Sequence, residues 1–228
     1  MNNNLSIPGY ARVLLIILPY MFIVGVFQFI GMLIANVNIE HFDISAITSQ
    51  QHLTISFFDL IGHFLLLWIF LKYVDKESFS STGFNMHKRL KEIFLGLFIG
   101  FLVMGLAMLG LQYFNQIEIK TSNFDGAEIL QIFGIFAIVA IVEEALLRGY
   151  VLKNLMYSFN KYLALFVSSI LFAIMHLANP NMDLLNFIGL FLAGILLGAS
   201  YIFTKNLGFP IALHFSWNFF QSLFFGPH

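Results

Sequence analysis

Cysteine is absent from this 228-residue chain. That excludes disulfides, thiolate metal sites and a cysteine nucleophile, and it leaves the compartment open. Charge is scarce. Only 10% of the residues are Asp, Glu, Lys or Arg and 59% are hydrophobic, with a mean hydropathy of +0.86, whereas a soluble domain carries about 25% charged residues. Such a composition belongs to an integral membrane protein. The formal net charge of -1 leaves no electrostatic footprint for nucleic acid or another polyanion. There is no HExxH pair, no low-complexity tract and no internal repeat of the kind that marks secondary transporters.

What is present is a series of long apolar runs. A spanning helix needs about 20 mostly apolar residues, and seven segments qualify: 12–36, 55–73, 91–114, 127–157, 161–178, 184–204 and 208–225. Lipid offers the backbone no hydrogen-bond partner, so these are helices. The expected fold is all-α: one polytopic transmembrane bundle of about seven to eight helices over residues 1–228, an eighth being re-entrant or interfacial. The first run, Val13–Ala35, is 23 residues long and exceeds the 7–15 residues of a typical signal-peptide core, so it is read as a retained span. The fourth run is the least defined, because its purely apolar part ends at Val142 and helix-compatible residues continue to Ser158. Gly96 with Gly100, and Gly194 with Gly198, form two GxxxG pairs suited to close helix packing.

The basic residues agree on one topology. Arg12 precedes the first span; Lys72, Lys76, Lys88, Arg89 and Lys91 lie between the second and third. Arg148, Lys153 and Lys161 cluster near the turn between the fourth and fifth, and Lys205 lies between the sixth and seventh. Of the eleven Lys and Arg, only Lys120 falls on the other side. The positive-inside rule then puts the N-terminus in the cytoplasm and the C-terminal tail outside. The many Phe, Ile, Asn and Lys suit a bacterial source, and hence a bacterial plasma membrane.

Within the apolar runs stand a few ionisable groups, each costing roughly 2.5–3.5 kcal/mol at the bilayer centre, which makes them candidates for function. Glu143 and Glu144 end the run Ile129–Val142, and Arg148 follows. Glu144 and Arg148, at i and i+4, share a helix face and can pair. Glu143 points about 100° away, free to face a cavity as a general base; the alternative is a cluster snorkelling at the boundary. With the turn between spans four and five near Asn160, Glu143 lies 17 residues before it and His176 lies 16 after it. At 1.5 Å per residue both are roughly 25 Å from the turn along antiparallel helices, so they can meet, provided span four runs well past Arg148. His214 and Asn218, again i and i+4, project from one face of span seven. They can donate to a developing oxyanion or bond between helices. His214 is only a few residues past Pro210, so a tilted or recessed span seven is needed to bring it level with His176.

Other polar groups carry less. Asp59 and His63 are an i, i+4 pair suited to packing support. Asn179, Pro180 and Asn181 read as the turn that ends span five. His41, His52, His87 and His228 fall in loops or at the terminus. Phe172, one turn before His176, is by itself one of 29 phenylalanines.

Three motifs together resemble the CPBP family, which holds CAAX prenyl proteases and bacteriocin-processing or immunity (Abi) proteins. EExxxR runs from Glu143 to Arg148, FxxxH from Phe172 to His176, and HxxxN from His214 to Asn218. The motifs cover 143–218, inside a protease-like core of about 120–225; the first 125 residues resemble the family only as apolar spans. The resemblance implies an intramembrane glutamic endopeptidase without a cofactor, its catalytic cavity embedded in the membrane. In it Glu143 with His176 activates a water, His214 and Asn218 stabilise the oxyanion, and Glu144, Arg148 and Phe172 support the site. It further implies a membrane-associated peptide or lipopeptide substrate, prenylated for CAAX members, reached through a site open to the cytosol. Two alternatives stand beside it. One is a zinc metallopeptidase with Glu143, His176 and His214 as ligands. The other is a non-catalytic immunity or scaffold protein. The sequence is silent on substrate identity and on oligomeric state.

Overall fold

A computed structural model describes residues 7–43, 46–118, 125–179 and 182–225. Lys120, Pro180, Asn181 and His228 lie outside the described residues. Seven helical rods follow in order: α1 (Gly9–Ile34), α2 (Ser49–Asp75), α3 (Leu90–Tyr113), α4 (Gly126–Ser158), α5 (Lys161–Met175), α6 (Leu184–Thr204) and α7 (Gly208–Phe225). The fold is an all-helical bundle, and five of the rods (α1, α2, α3, α4 and α6) are long and apolar enough to cross a membrane. Outward-facing Leu18 and Phe22 on α1 are about three-quarters exposed, a surface stable only against lipid.

Polar side chains set the helix starts. Thr48 and Gln51 form a reciprocal capping box, which satisfies two otherwise orphaned donors and starts α2 six residues before the apolar run at 55. Asp125, Asn160 and Asp183 cap α4, α5 and α6 by accepting backbone N–H bonds, as short polar acceptors do at this position.

Two rods change winding part-way. α2 ends in a π-helical stretch, Phe70–Asp75, and α4 contains one over Ala145–Leu152 between its α-helical ends. The two stretches face each other: Phe70 meets Tyr150 edge-on with ring centroids 5.9 Å apart, and Asn154 donates to Asp75 at 3.0 Å. Arg12 of α1, 3% exposed, reaches Asp75 at 3.5 Å and Asn154 Oδ1 at 3.2 Å. Three helices are thus tied by a buried polar knot, and Arg12 is an interior residue rather than a flanking charge.

α5 is shorter than the 161–178 span read from hydropathy. It has 15 residues, about 22 Å of helix, less than the roughly 30 Å hydrocarbon core. Its last turn tightens, the His176 N–H bonding Ala173 O at 3.2 Å. The Phe172 carbonyl left over pairs with the His176 imidazole Nδ1 at 2.8 Å instead. The side chain takes the bond that a continuing backbone would have made.

α7 begins inside the bundle. Leu207 and Thr82 lie against Gly149, nine residues before the end of α4 and so roughly 14 Å in from the α4–α5 turn. The space beyond is filled by the α2–α3 connection. Tyr201 donates to Thr82 O at 3.0 Å and Leu207 N to Gly83 O at 3.0 Å. Gly83, at φ +104°, lies too close to the Lys205 carbonyl for any side chain. Lys153 pairs with Glu77 and Ser81. Burial alone would push the Glu77 carboxyl up; the bonds from Lys153, Ser81 and Tyr157 outweigh it and hold it below the ordinary carboxylate value.

Both GxxxG pairs lie at close crossings. Gly96 and Gly100 of α3 face Phe209–Trp217 of α7, and Gly194 of α6 faces Ser169 of α5. In α2, His63 Nδ1 lies 3.1 Å from Asp59, which also accepts from Gln28 at 2.6 Å, an α1–α2 tie.

Candidate active site

Glu143 and Glu144 close the first α-helical part of α4, just before its π-helical stretch, a winding often found at functional positions. The two side chains diverge. Glu144 is fully buried; its Oε1 accepts from Arg148 Nη1 at 2.9 Å and lies 2.8 Å from His214 Nδ1. Arg148, 1% exposed, also donates to Gly194 O on α6 at 3.2 Å, and its guanidinium lies 4.7 Å from the centre of the Phe172 ring. Phe172 is therefore more than filler: its ring also contacts His176 and His214, with centroids 4.7 and 6.0 Å apart.

Glu143 turns the other way, onto a cavity. Its Oε2 lies 3.7 Å from His176 Nε2 and 3.9 Å from His214 Nε2. Both separations exceed a direct hydrogen bond, and Oε2 is itself buried with no hydrogen-bond partner among the described residues. The Glu143 and His176 side chains are 21% and 19% exposed, against 6% for His214 and none for Glu144. The first two form the accessible floor and the others sit behind it.

Hydrogen bonding fixes the imidazole orientations. A carbonyl only accepts, so His176 carries its proton on Nδ1 toward Phe172 O. A carboxylate paired with Arg148 only accepts, so His214 carries one on Nδ1 toward Glu144. Each Nε2 is thereby aimed at Glu143. Asn218 lines the same cavity one turn beyond His214. All seven motif residues thus come together. α7 meets them because its start is recessed, which removes the register difficulty at Pro210.

The cavity has a volume of about 1080 Å³, at the upper end of small-molecule pockets. Its walls are apolar, with Phe136, Leu190, Leu192, Leu196 and Trp217 among them, interrupted by His52, Asn179, Asn186, Gln221 and Ser222. His52, a loop histidine in the sequence reading, lies in the first turn of α2 and reaches this wall. No periodicity pointed to it, since α2 begins at a cap and not at the apolar run. The Glu144–His214 bond and the Gly194 carbonyl on Arg148 were equally invisible, being tertiary contacts between helices. Among the described residues, no group of three His, Cys, Asp or Glu side chains is arranged to hold a metal ion.

No curated protein and no solved structure matches the chain. A family model does match, over residues 125–220, which run from the cap of α4 to the middle of α7 and contain all three motifs. Over those residues this membrane chain is similar to the Rce1-like family, described as type II CAAX prenyl endopeptidases.

Proposed function

We propose that the protein is an intramembrane endopeptidase of glutamic type that hydrolyses a peptide bond of a membrane-associated substrate. The observation that carries this reading is the convergence of Glu143, His176 and His214 within 3.9 Å at the floor of a cavity large enough for a peptide segment. Glu143 takes a proton from a water held at its edge with His176, and the oxygen attacks the scissile carbonyl. His214 Nε2 and the Asn218 amide donate to the oxyanion, as preorganised donors do where charge develops. Collapse of the tetrahedral intermediate breaks the C–N bond, and the proton held by Glu143 passes to the leaving amine. A donor on His214 Nε2 as well as Nδ1 makes it an imidazolium. Formal charge then balances: two carboxylates against Arg148 and His214.

The test is cleavage of a lipopeptide by the purified, reconstituted protein. Glu143→Ala and His176→Ala are each expected to lower kcat by at least about 10²-fold, the lower bound for a positioned acid–base group. Cleavage at the parent rate in either variant ends the proposal. A ring held through Nδ1 with Nε2 directed inward is also how zinc-ligating histidines are set, but the described residues offer no three-ligand group arranged for a metal. Strong chelation separates the two, since it leaves a glutamic peptidase active and silences a zinc enzyme. An immunity role would instead show as protection of cells that persists in Glu143→Ala.

A further inference from the structure

Among the described residues, the cavity lining reaches one end of the bundle and stops short of the other. Its lining beyond Glu143 comes from His52 on α2, Asn179 and Met182 in the α5–α6 connection, Leu185 on α6, and Gln221 and Phe225 on α7. All of these lie toward the end away from the α4–α5 turn. That opposite end is closed by the α2–α3 connection bonded to Lys153, Tyr201, Asn206 and Leu207, and no residue of the connection lines the cavity. The closed end is also the basic one. Arg12, Lys72, Lys76, Lys88, Arg89, Lys91, Lys153, Lys161 and Lys205 all belong to it, and among the described residues no Lys or Arg stands at the open end. An asymmetry of this size in short connections places the basic end in the cytoplasm.

We infer that the active site opens away from the cytoplasm and takes an exported or outer-leaflet peptide, not the tail of a cytosolic protein. The inference rests on reading this cavity as the peptidase site, and it reverses the cytosolic access that the family resemblance implies. The lining chemistry agrees. The polar groups at the mouth are amides, a hydroxyl and His52, and among the described residues no Lys or Arg lines the cavity. A free C-terminal carboxylate would find no Lys or Arg partner among the described lining residues, whereas an uncharged apolar stretch within a longer chain finds matching walls. The short α5 also lowers one side of the cavity. Leu184 and Leu185, at the start of α6 beside that low side, are 74% and 76% exposed, so this lip faces lipid. A peptide anchored in the outer leaflet can reach the mouth sideways.

The cysteine-free sequence permits a direct test. Gln221→Cys marks the mouth and Ser80→Cys the closed end, both at exposed positions outside the catalytic set. Intact bacterial cells expressing each variant are treated with a membrane-impermeant maleimide, and lysed cells serve as the labelling control. Gln221→Cys is expected to label in intact cells and Ser80→Cys only after lysis. The reverse pattern, or equal labelling of both, overturns the inference. Labelling needs no catalysis, so it is read separately from the Glu143→Ala result. An outward mouth with Glu143-independent cleavage would retire the peptidase reading and leave the direction of access standing. An inward mouth with Glu143-dependent cleavage would do the opposite.

Discussion

At Glu144 one buried carboxylate oxygen meets two groups, the Arg148 guanidinium at 2.9 Å and His214 Nδ1 at 2.8 Å. It is the ion-pair partner of the buried Arg148, and it sets which nitrogen of His214 points at Glu143. Removing one member of such a buried pair typically costs about 3–5 kcal/mol, because the other charge is left uncompensated. Glu144→Gln keeps the shape and removes the charge, so it separates positioning from packing. The expected outcome is a lower melting temperature in detergent together with a fall in kcat of about 10- to 100-fold, the usual scale for a residue that orients a catalytic histidine, with KM little changed. If Glu144→Gln melts earlier yet turns over at the parent kcat, the carboxylate is structural only. On the proposed mechanism the neighbours divide the work: Glu143 acts on the cavity, and Glu144 acts through His214 and Arg148.

Among the elements, α7 depends most on a neighbour for its register. It is pressed against α3 at Gly96 and Gly100, where a Cβ on Gly100 would fall 2.6 Å from Ser216 Cβ and 2.8 Å from the Trp217 nitrogen. Ser216 further donates to Leu97 O at 2.6 Å. Overpacking of this kind costs about 1–3 kcal/mol. Gly100→Ala should therefore lower the melting temperature and, by moving α7, the kcat. Gly105→Ala on the same helix, with nothing within 4 Å, should do neither. Equal behaviour of the two variants would show that α7 is not held at this crossing. The GxxxG spacing made this contact legible in advance, as the count of residues on either side of Asn160 did for Glu143 and His176. Hydropathy found all seven rods because each is apolar, although only five are long and apolar enough to cross a membrane. It misplaced the ends where side chains decide them, at the Thr48 cap and at the His176 imidazole. The π-helical winding of Ala145–Leu152, the recess of α7 and the reach of His52 stayed hidden, since each arises from packing between distant segments and leaves no periodic trace.

Across the whole molecule, the family match begins only at residue 125, yet the site does not stand on that part alone. α3 supplies the glycines that receive α7, Leu53 of α2 packs at Gly134 of α4, and Arg12 of α1 pairs into the knot of Asp75 and Asn154. The α2–α3 connection covers the recessed start of α7. Taken from these partners, α4 would expose Asn154 and α7 its glycine-fitting face. Helices in a bilayer insert first and then associate through packing and buried polar contacts, so the two parts of the chain need not be covalently joined. Residues 1–123 and 124–228 expressed as separate fragments are expected to co-purify and to restore Glu143-dependent cleavage together. The 124–228 fragment alone should be degraded or inactive. Arg12→Met in the first fragment should weaken the co-purification, because Asp75 then loses its buried cation. Full activity of 124–228 by itself would show instead that the matched segment is a self-sufficient catalytic unit, and that the first three helices serve another purpose than holding it.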